Sequence, residues 1–356
     1  MKMIQTVCGA VPEDQLGITL MHEHCLVDSG GPDGPYAKHD ITDPEYLEFL
    51  RSPLDNENRA KIFFHMHKHL ANQENMDEAL TIQELHYFKK AGGATLVDVT
   101  TPGLGRDVKA MKRISEATGV NIIASTALYV EETHPEQFLK MGVRELADFF
   151  VSELKEGIDG TDIRAAYIGE IGMSDDFTAR EQEVLMAAGI AAAESGHAVT
   201  VHQPIFRTWG DRILDILMNG GAKPDQVVLS HCDPTLYNMD YHTGLLERGC
   251  RLQFDQFKLE FPCTYGPYVK RWLPRDIERI RHIKKLCDLG WEDKITVSMD
   301  MGAFKRNFRT FGGPGYAYIP EMLYEYFLFE GVTQDQLDKI LIHNPRSILS
   351  MGAEEM

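Results

Sequence analysis

The sequence contains no apolar run approaching the ~20 residues a membrane-spanning helix requires. Its longest apolar stretches, around 121–130 and 187–193, stop well short of that. The opening MKMIQTVCGAVPEDQ has one Lys, no sustained apolar core and no small-residue cleavage site, so no secretory signal is expected. CxxC pairs are absent. The six cysteines, Cys8, Cys25, Cys232, Cys250, Cys263 and Cys287, are scattered as in a reduced chain, and a cytoplasmic location is expected. Positive charge is scarce: 36 Lys and Arg face 54 Asp and Glu, a net charge of −18. Such a field repels phosphate backbones and anionic bilayers, which leaves a small molecule as the expected partner, with neither nucleic acid nor membrane. An anionic substrate would need a local basic pocket working against that field.

Internal repeats, low-complexity tracts and composition breaks are also missing, so the 356 residues read as a single domain over 1–356. At 43% hydrophobic and 25% charged residues the composition is that of a globular protein. Short β-rich runs at 17–24, 94–100, 121–126, 165–170, 198–202, 226–231, 250–254 and 294–300 alternate with amphipathic helical patterns at 77–90, 106–118, 135–154, 179–195, 210–218 and 275–289. Eight such strands predict a parallel sheet closed into a (β/α)8 TIM barrel. Several are apolar almost throughout, as strands covered on both faces must be. The segment 29–75 is too long for an ordinary βα connection and reads as an insertion over the barrel mouth, with one helix near 59–69. A smaller insertion, FPCTYGPYVKRWLPRD, follows strand 7.

Five of the eight strands end on a side chain able to bind a metal ion. Strand 1 ends MHEH (His22, His24), strand 4 IGEIG (Glu170), strand 5 TVHQ (His202), strand 6 LSHC (His231) and strand 8 SMD (Asp300). Residues i and i+2 of a strand share a face, so His22 and His24 can grip one ion. Active sites of these barrels lie at the C-terminal strand ends, where the six side chains would converge. Any one histidine at a strand end is more often a satisfied polar residue than a ligand. Six in order, each at a strand terminus, are a different matter. Four His and two carboxylates exceed one tetrahedral ion and suit two divalent ions roughly 3.5–4 Å apart. Zinc is the first expectation, with Mn2+ or Co2+ compatible with the same ligands. The remaining histidines, including His65, His67, His69 and His86, read as solvated helix positions.

The stretches GITLMHEH, GATLVDVTTPGLGRDV, IGEIG, VTVHQ, VVLSHCD, LQFDQF, ITVSMDMG, GGPGY and HNPRSIL together resemble the phosphotriesterase-like family of the amidohydrolase superfamily, over nearly the whole chain. The resemblance implies that His22, His24 and Asp300 hold the more buried ion and His202 and His231 the more exposed one, with Glu170 bridging. The founding members use a carboxylated lysine as the bridge; a glutamate, as in other members, would need no carbon dioxide to assemble the site. It further implies a hydrolase in which a metal-bridging hydroxide attacks and Asp300 carries its proton to the leaving group. A homodimer is compatible with such a barrel, though no stretch encodes it.

Specificity rests on the βα loops. Tyr129, after strand 3, stands where members of the family place an aromatic near the metals; a core role is the alternative. Lys258 follows strand 7, and Lys305, Arg306 and Arg309 follow strand 8 beside glycines. Three cations within five residues read either as a solvated basic loop or as a phosphate or carboxylate clamp. With the clamp, the expected reaction is opening of a small sugar lactone, such as a pentono-1,4-lactone 5-phosphate. The alternative is hydrolysis of other carboxylic esters, acyl-homoserine lactones or N-acyl amides, with weak turnover of phosphotriesters, and a non-catalytic metal-binding protein is the reading from another class. Asp98 is expected either to hydrogen-bond a ligand histidine or to be a satisfied core aspartate, and Asn344 to cap the final helix with Pro345 in its first turn.

Overall fold

The computed structural model of the chain describes residues 2–29, 43–263 and 271–355. Eight parallel strands wind round a barrel: β1 (Ile18–Glu23), β2 (Gly93–Asp98), β3 (Asn121–Thr126), β4 (Tyr167–Gly172), β5 (Val199–His202), β6 (Val227–Leu229), β7 (Arg251–Phe254) and β8 (Ile295–Val297). Each pairs with its neighbour in chain order from β1 to β8. The seam between β8 and β1 is bridged just beyond the ladder, where Asp300 N donates to His22 O at 3.1 Å and His24 N to Met301 O at 2.8 Å. Buried Glu23 reinforces it: its carboxylate accepts Ser298 Oγ at 2.6 Å, Met299 N at 2.9 Å and Met301 N at 2.6 Å.

The strands are apolar because helices cover them outside while side chains fill the interior. Leu96, Ile122, Ile168 and Leu229 pack in the layer shared with the helices, and Met21, Val97, Ile123 and Val228 fill the lower interior. Of the six predicted helices, Ala179–Ser195 spans its expected range, with a Thr178/Glu181 capping box at its start. The third begins at Val143 rather than 135, because Pro135 and Gly142 bracket a separate 3-10 turn, Glu136–Phe138. A further helix after β6, Met239–Glu247, is too short and too interrupted by Gly244 to stand out by periodicity. The barrel floor is covered by an antiparallel hairpin, Lys2–Thr6 with Gly9–Pro12, joined by Glu354–Glu355.

Two local expectations are corrected. Asn344 does not cap a helix: it continues the preceding helical segment, and its Nδ2 donates to Glu292 O and Ile295 O, both at 2.7 Å, tying that helix to the start of β8. His67 and His69 are buried rather than solvated, because 43–75 folds as three short helices, Pro44–Leu50, Arg59–Phe63 and Leu70–Gln73, packed down on the barrel. The rest of the expected insertion, 30–42, and the part of the strand-7 loop at 264–270 lie outside the described residues.

Between helices Met239–Glu247 and Asp276–Asp288, His242 Nδ1 meets His282 Nε2 at 2.8 Å, with Thr235 Oγ1 2.8 Å from His242 Nε2. Burial, then each ring's cationic neighbour, pushes His242 down to about 3 and His282 to about 4. Both lie below the ordinary 6.5, so between those values the unfolded chain binds more protons and stability falls as pH drops. We expect Tm to decline as the pH falls from 6.5 towards 4, and His282→Gln to flatten that slope; parallel Tm–pH profiles in the two proteins would contradict the assignment.

Candidate metal centre

The C-terminal strand ends deliver their polar side chains to one buried spot. Glu170, on β4, stands at its middle. Its Oε1 faces His24 Nε2 at 3.6 Å, and its Oε2 faces His22 Nε2 at 3.3 Å, His202 Nδ1 at 3.0 Å and His231 Nε2 at 3.7 Å. Asp300 Oδ1 lies 3.3 Å from His24 Nε2. His231 Nε2 and His202 Nδ1 are 2.7 Å apart. Among the described residues three groupings result, His22–His24–Glu170, Glu170–His202–His231 and His22–His231–Asp255, each with its donor atoms within 4.8 Å of one another. The structure thus brings together all six strand-end residues. Two of them, His231 (φ 54°) and Asp300 (φ 52°), adopt left-handed backbone just past their strands. Such a conformation costs a non-glycine residue of order 1–3 kcal/mol and turns the side chain inward off the strand line.

The donor set fits cations. Both ring nitrogens of His22, fully buried, lack a hydrogen-bond partner among the described residues, though buried imidazoles ordinarily find one. An unprotonated nitrogen 3.3 Å from a carboxylate oxygen is repulsive unless something positive joins them. The electrostatics agree. Burial alone would raise the Glu170 carboxyl, yet the His22, His202 and His231 rings hold it well below the usual carboxylate range. Burial disfavours a charged His24, yet Asp300 and Glu170 push it up to about 9. Acids packed this closely demand positive charge, which divalent ions would supply.

Sequence reasoning missed the groups that aim these ligands. Asp255, at the end of β7, sits 2.8 Å from His231 Nδ1 and 3.3 Å from His22 Nδ1, and it is itself fixed by Gln253 Nε2 at 2.8 Å. A carboxylate immediately after a strand was the available signal, the same one that marks Asp300. Asp98, expected to hold a histidine, instead accepts Cys25 N at 2.6 Å and Thr100 N at 2.9 Å. The Thr100 hydroxyl, 2.9 Å from His24 Nδ1, takes the orienting role.

Above the centre lies a cavity of about 70 Å³. Its lining is largely apolar, with Val27, Leu104, Ile205, Leu259, Phe261 and Phe304, interrupted by His67, Gln73, Tyr129 and Gln256. Tyr129 OH stands 3.1 Å from His202 Nε2. None of Lys258, Lys305, Arg306 or Arg309 is among the described lining residues. Lys258 turns away through a left-handed backbone (φ 72°) and donates from Nζ to Met299 O at 3.0 Å. Arg306 lies against Met66 Sδ at 3.5 Å and over the Phe63 ring. Arg309 pairs with Glu321, donates to Pro314 O at 3.1 Å and stacks on Tyr87. Lys305 opens a 3-10 turn and makes no assigned contact in the cavity. The expected anion clamp is therefore not assembled in this lining: adjacency in sequence put the cations on one loop, but its 3-10 turns disperse them.

Because Asp255 fixes the ring of His231 and lies 3.3 Å from His22 Nδ1, Asp255→Asn is expected to weaken metal affinity ~10–100-fold while leaving the fold intact. Metal titration followed by circular dichroism checks both, and unchanged affinity would remove Asp255 from the site.

The family model of the phosphotriesterase family matches residues 2–349. A phosphotriesterase-related protein of Nematostella vectensis is 36% identical, covering 98% of both chains. The N-acetyltaurine hydrolase of Mus musculus is 36% identical over 98% of this chain and 97% of its own. The crystal structure of a resiniferatoxin-binding protein from Rhodobacter sphaeroides superposes with a TM-score of 0.92 at 32% identity, covering 98% of this chain and 95% of that one. With its eight-stranded barrel and the histidine and carboxylate cluster at its mouth, this chain belongs to the phosphotriesterase family and is a hydrolase.

Proposed function

We propose that the chain is a binuclear metal-dependent hydrolase of small carboxylic amides, with N-acyl amides as its substrates. The observation that carries this reading is the cavity itself: narrow, largely apolar, and without a Lys or Arg among its described lining residues. A short acyl chain suits such a lining, whereas a sugar phosphate does not. The relatives named N-acetyltaurine hydrolase, at 34–36% identity over 97% of their length, support an acyl-amide bond as the one broken. The amine half of the substrate is not carried over from them. A second reading, hydrolysis of a small neutral lactone or ester, is favoured by the same uncharged lining; the 5-phosphate of a phosphorylated lactone finds no partner in it.

His22, His24 and Asp300 would hold one ion and His202 and His231 the other, with Glu170 between them. Zn2+ suits four imidazoles and two carboxylates best. When bound, the two ions supply an acidified water and a Lewis acid for the acyl oxygen. The rest falls to the chain. Asp300 borders the cavity and is held below the usual carboxylate range, its burial outweighed by His24 and the other rings, so it enters the reaction as a base. From that position it can accept the nucleophile's proton and pass it to the departing nitrogen, which must leave as a neutral amine. Tyr129, with its hydroxyl beside His202, faces the acyl oxygen's side of the centre and can donate to it. Leu259, Phe261 and Phe304 exclude bulk water.

With zinc-reconstituted protein, a panel of N-acetyl amides, neutral lactones and pentonolactones with and without a 5-phosphate should give the highest kcat/KM on an N-acetyl amide. The phosphate should confer no advantage; a preference of ~10-fold or more for the phosphorylated lactone would overturn the reading. Asp300→Asn should lower kcat by ~10²–10⁴ while KM changes little. Elemental analysis should find two ions per chain, and Glu170→Gln should lose at least one of them along with activity.

A further inference from the structure

Gln73 ends the short helix Leu70–Gln73, is 2% exposed and lines the cavity. Its Nε2 donates to His67 O at 2.6 Å, which settles which end of the amide is which: the nitrogen is engaged, and the oxygen is the other end. Its backbone carbonyl accepts from Ser29 Oγ at 2.9 Å and Ser29 N at 3.4 Å, so the residue is pinned from the loop after β1. Gln73 Oε1, held this way, is buried and has no hydrogen-bond partner among the described residues. Buried carbonyl oxygens without a donor are rare, and each asks for an explanation. A second amide, Gln256 just beyond β7, is 5% exposed, lines the same cavity, and also has a buried Oε1 without a partner among the described residues. Leu259, Phe261 and Phe304 beside them offer no donor. Two orphaned acceptors in a pocket with an apolar lining describe a ligand that brings its own N–H.

We infer that Gln73 is a specificity-determining residue whose Oε1 accepts the N–H of a secondary amide substrate. This rests on the amide reading above and narrows it to secondary amides, R–CO–NH–R′. An ester or lactone of the same outline places an oxygen where the N–H would be, so two sets of lone pairs face each other. A tertiary amide places a methyl group there. Sites built to hydrogen-bond a substrate group reject analogues lacking it, because the site's own polar atom is left unmatched. The discriminating element belongs to the segment at 43–75, outside the barrel, and is separate from the ligands that perform the chemistry.

The test uses full-length, zinc-loaded protein and three probes of one outline: N-propylacetamide, propyl acetate and N-methyl-N-propylacetamide. Gln73→Met keeps the length of the side chain and removes its acceptor. The variant should lower kcat/KM for N-propylacetamide ~10-fold or more and leave that for propyl acetate undiminished or raised, because the opposing lone pairs are gone, with metal content and Tm unchanged. Equal loss on both, or none on either, would overturn the inference, since a merely structural role moves the two together. If wild-type protein turns over none of the three, the amide reading itself has failed, and calorimetric binding then decides Gln73 separately. Wild type binding the secondary amide at least ~10-fold tighter than the tertiary one, with the difference gone in Gln73→Met, supports the acceptor role; equal wild-type affinities refute it.

Discussion

One buried carboxylate, surrounded by imidazole nitrogens it cannot satisfy alone, sets the terms for the active end of the barrel. Glu170 lies within 3.0–3.7 Å of four histidines drawn from three other strands. Asp300 and Asp255 stand just behind them. In water such a gathering would be unremarkable, but in a buried pocket the acids raise the affinity of every nearby ring for positive charge. Protons can supply that charge only by occupying the nitrogens that would otherwise bind substrate-activating ions. Divalent cations would satisfy the acids and leave the rings neutral, which is why the cluster suits metal binding.

Holding the ligands in place is work for the backbone rather than for the ligands. β8 leaves the ladder at Val297, three residues before Asp300, and the chain from Ser298 to Met301 would be free to wander. Glu23, between the two β1 ligands, takes three donors from that stretch and fastens it to β1. Lys258 fastens the same stretch from β7 through Met299 O. Its burial lowers its pKa to about 8, against the pull of Asp300, Glu23 and Asp276. This lysine is a counter-charge for the acids at the seam, so a residue that looks like a substrate clamp in sequence is part of the support for the centre. The left-handed backbone of Asp300 persists because its neighbours are fixed on both sides.

How much of this the sequence discloses depends on the range of the interaction that decides it. Strand order and the six strand-end ligands follow from period-two patterning and one-βα-unit spacing, which are local and repeat around the barrel. Ala179–Ser195 was legible for the same reason, since its cap, Thr178, and its glycine stop, Gly196, directly flank the helix. Asp98 and Thr100 show the limit. Both end β2 and both can reach inward, yet only Thr100 meets His24, and the choice depends on how the loop at Cys25 crosses above them. His67 and Gln73 were harder still. His67 lies in the turn between two short helices and Gln73 ends the second; their packing partners are far away in sequence, so no periodicity separates a buried face from a solvated one.

The cations of the strand-8 loop bear on specificity in this fold. Lys305, Arg306 and Arg309 cluster in sequence, and a cluster of charge in an acidic chain invites a functional reading. Arg309, however, is engaged by Glu321 and Tyr87, and Arg306 lies along Met66 and Phe63. Both bridge the strand-8 loop to the elements around it, and Arg306 thereby steadies the segment that carries Gln73. The negative field of the whole chain then works with the cavity: an anionic substrate would meet repulsion outside and no cation in the described lining inside. A neutral amide meets neither obstacle. On the proposed reading its acyl oxygen turns to the metal centre, its N–H to Gln73 and its carbon chain to the aromatic wall, and polarity rather than charge selects the substrate. The barrel and its strand-end side chains then set the chemistry, while the segment at 43–75 contributes the contact that would tell one neutral substrate from another.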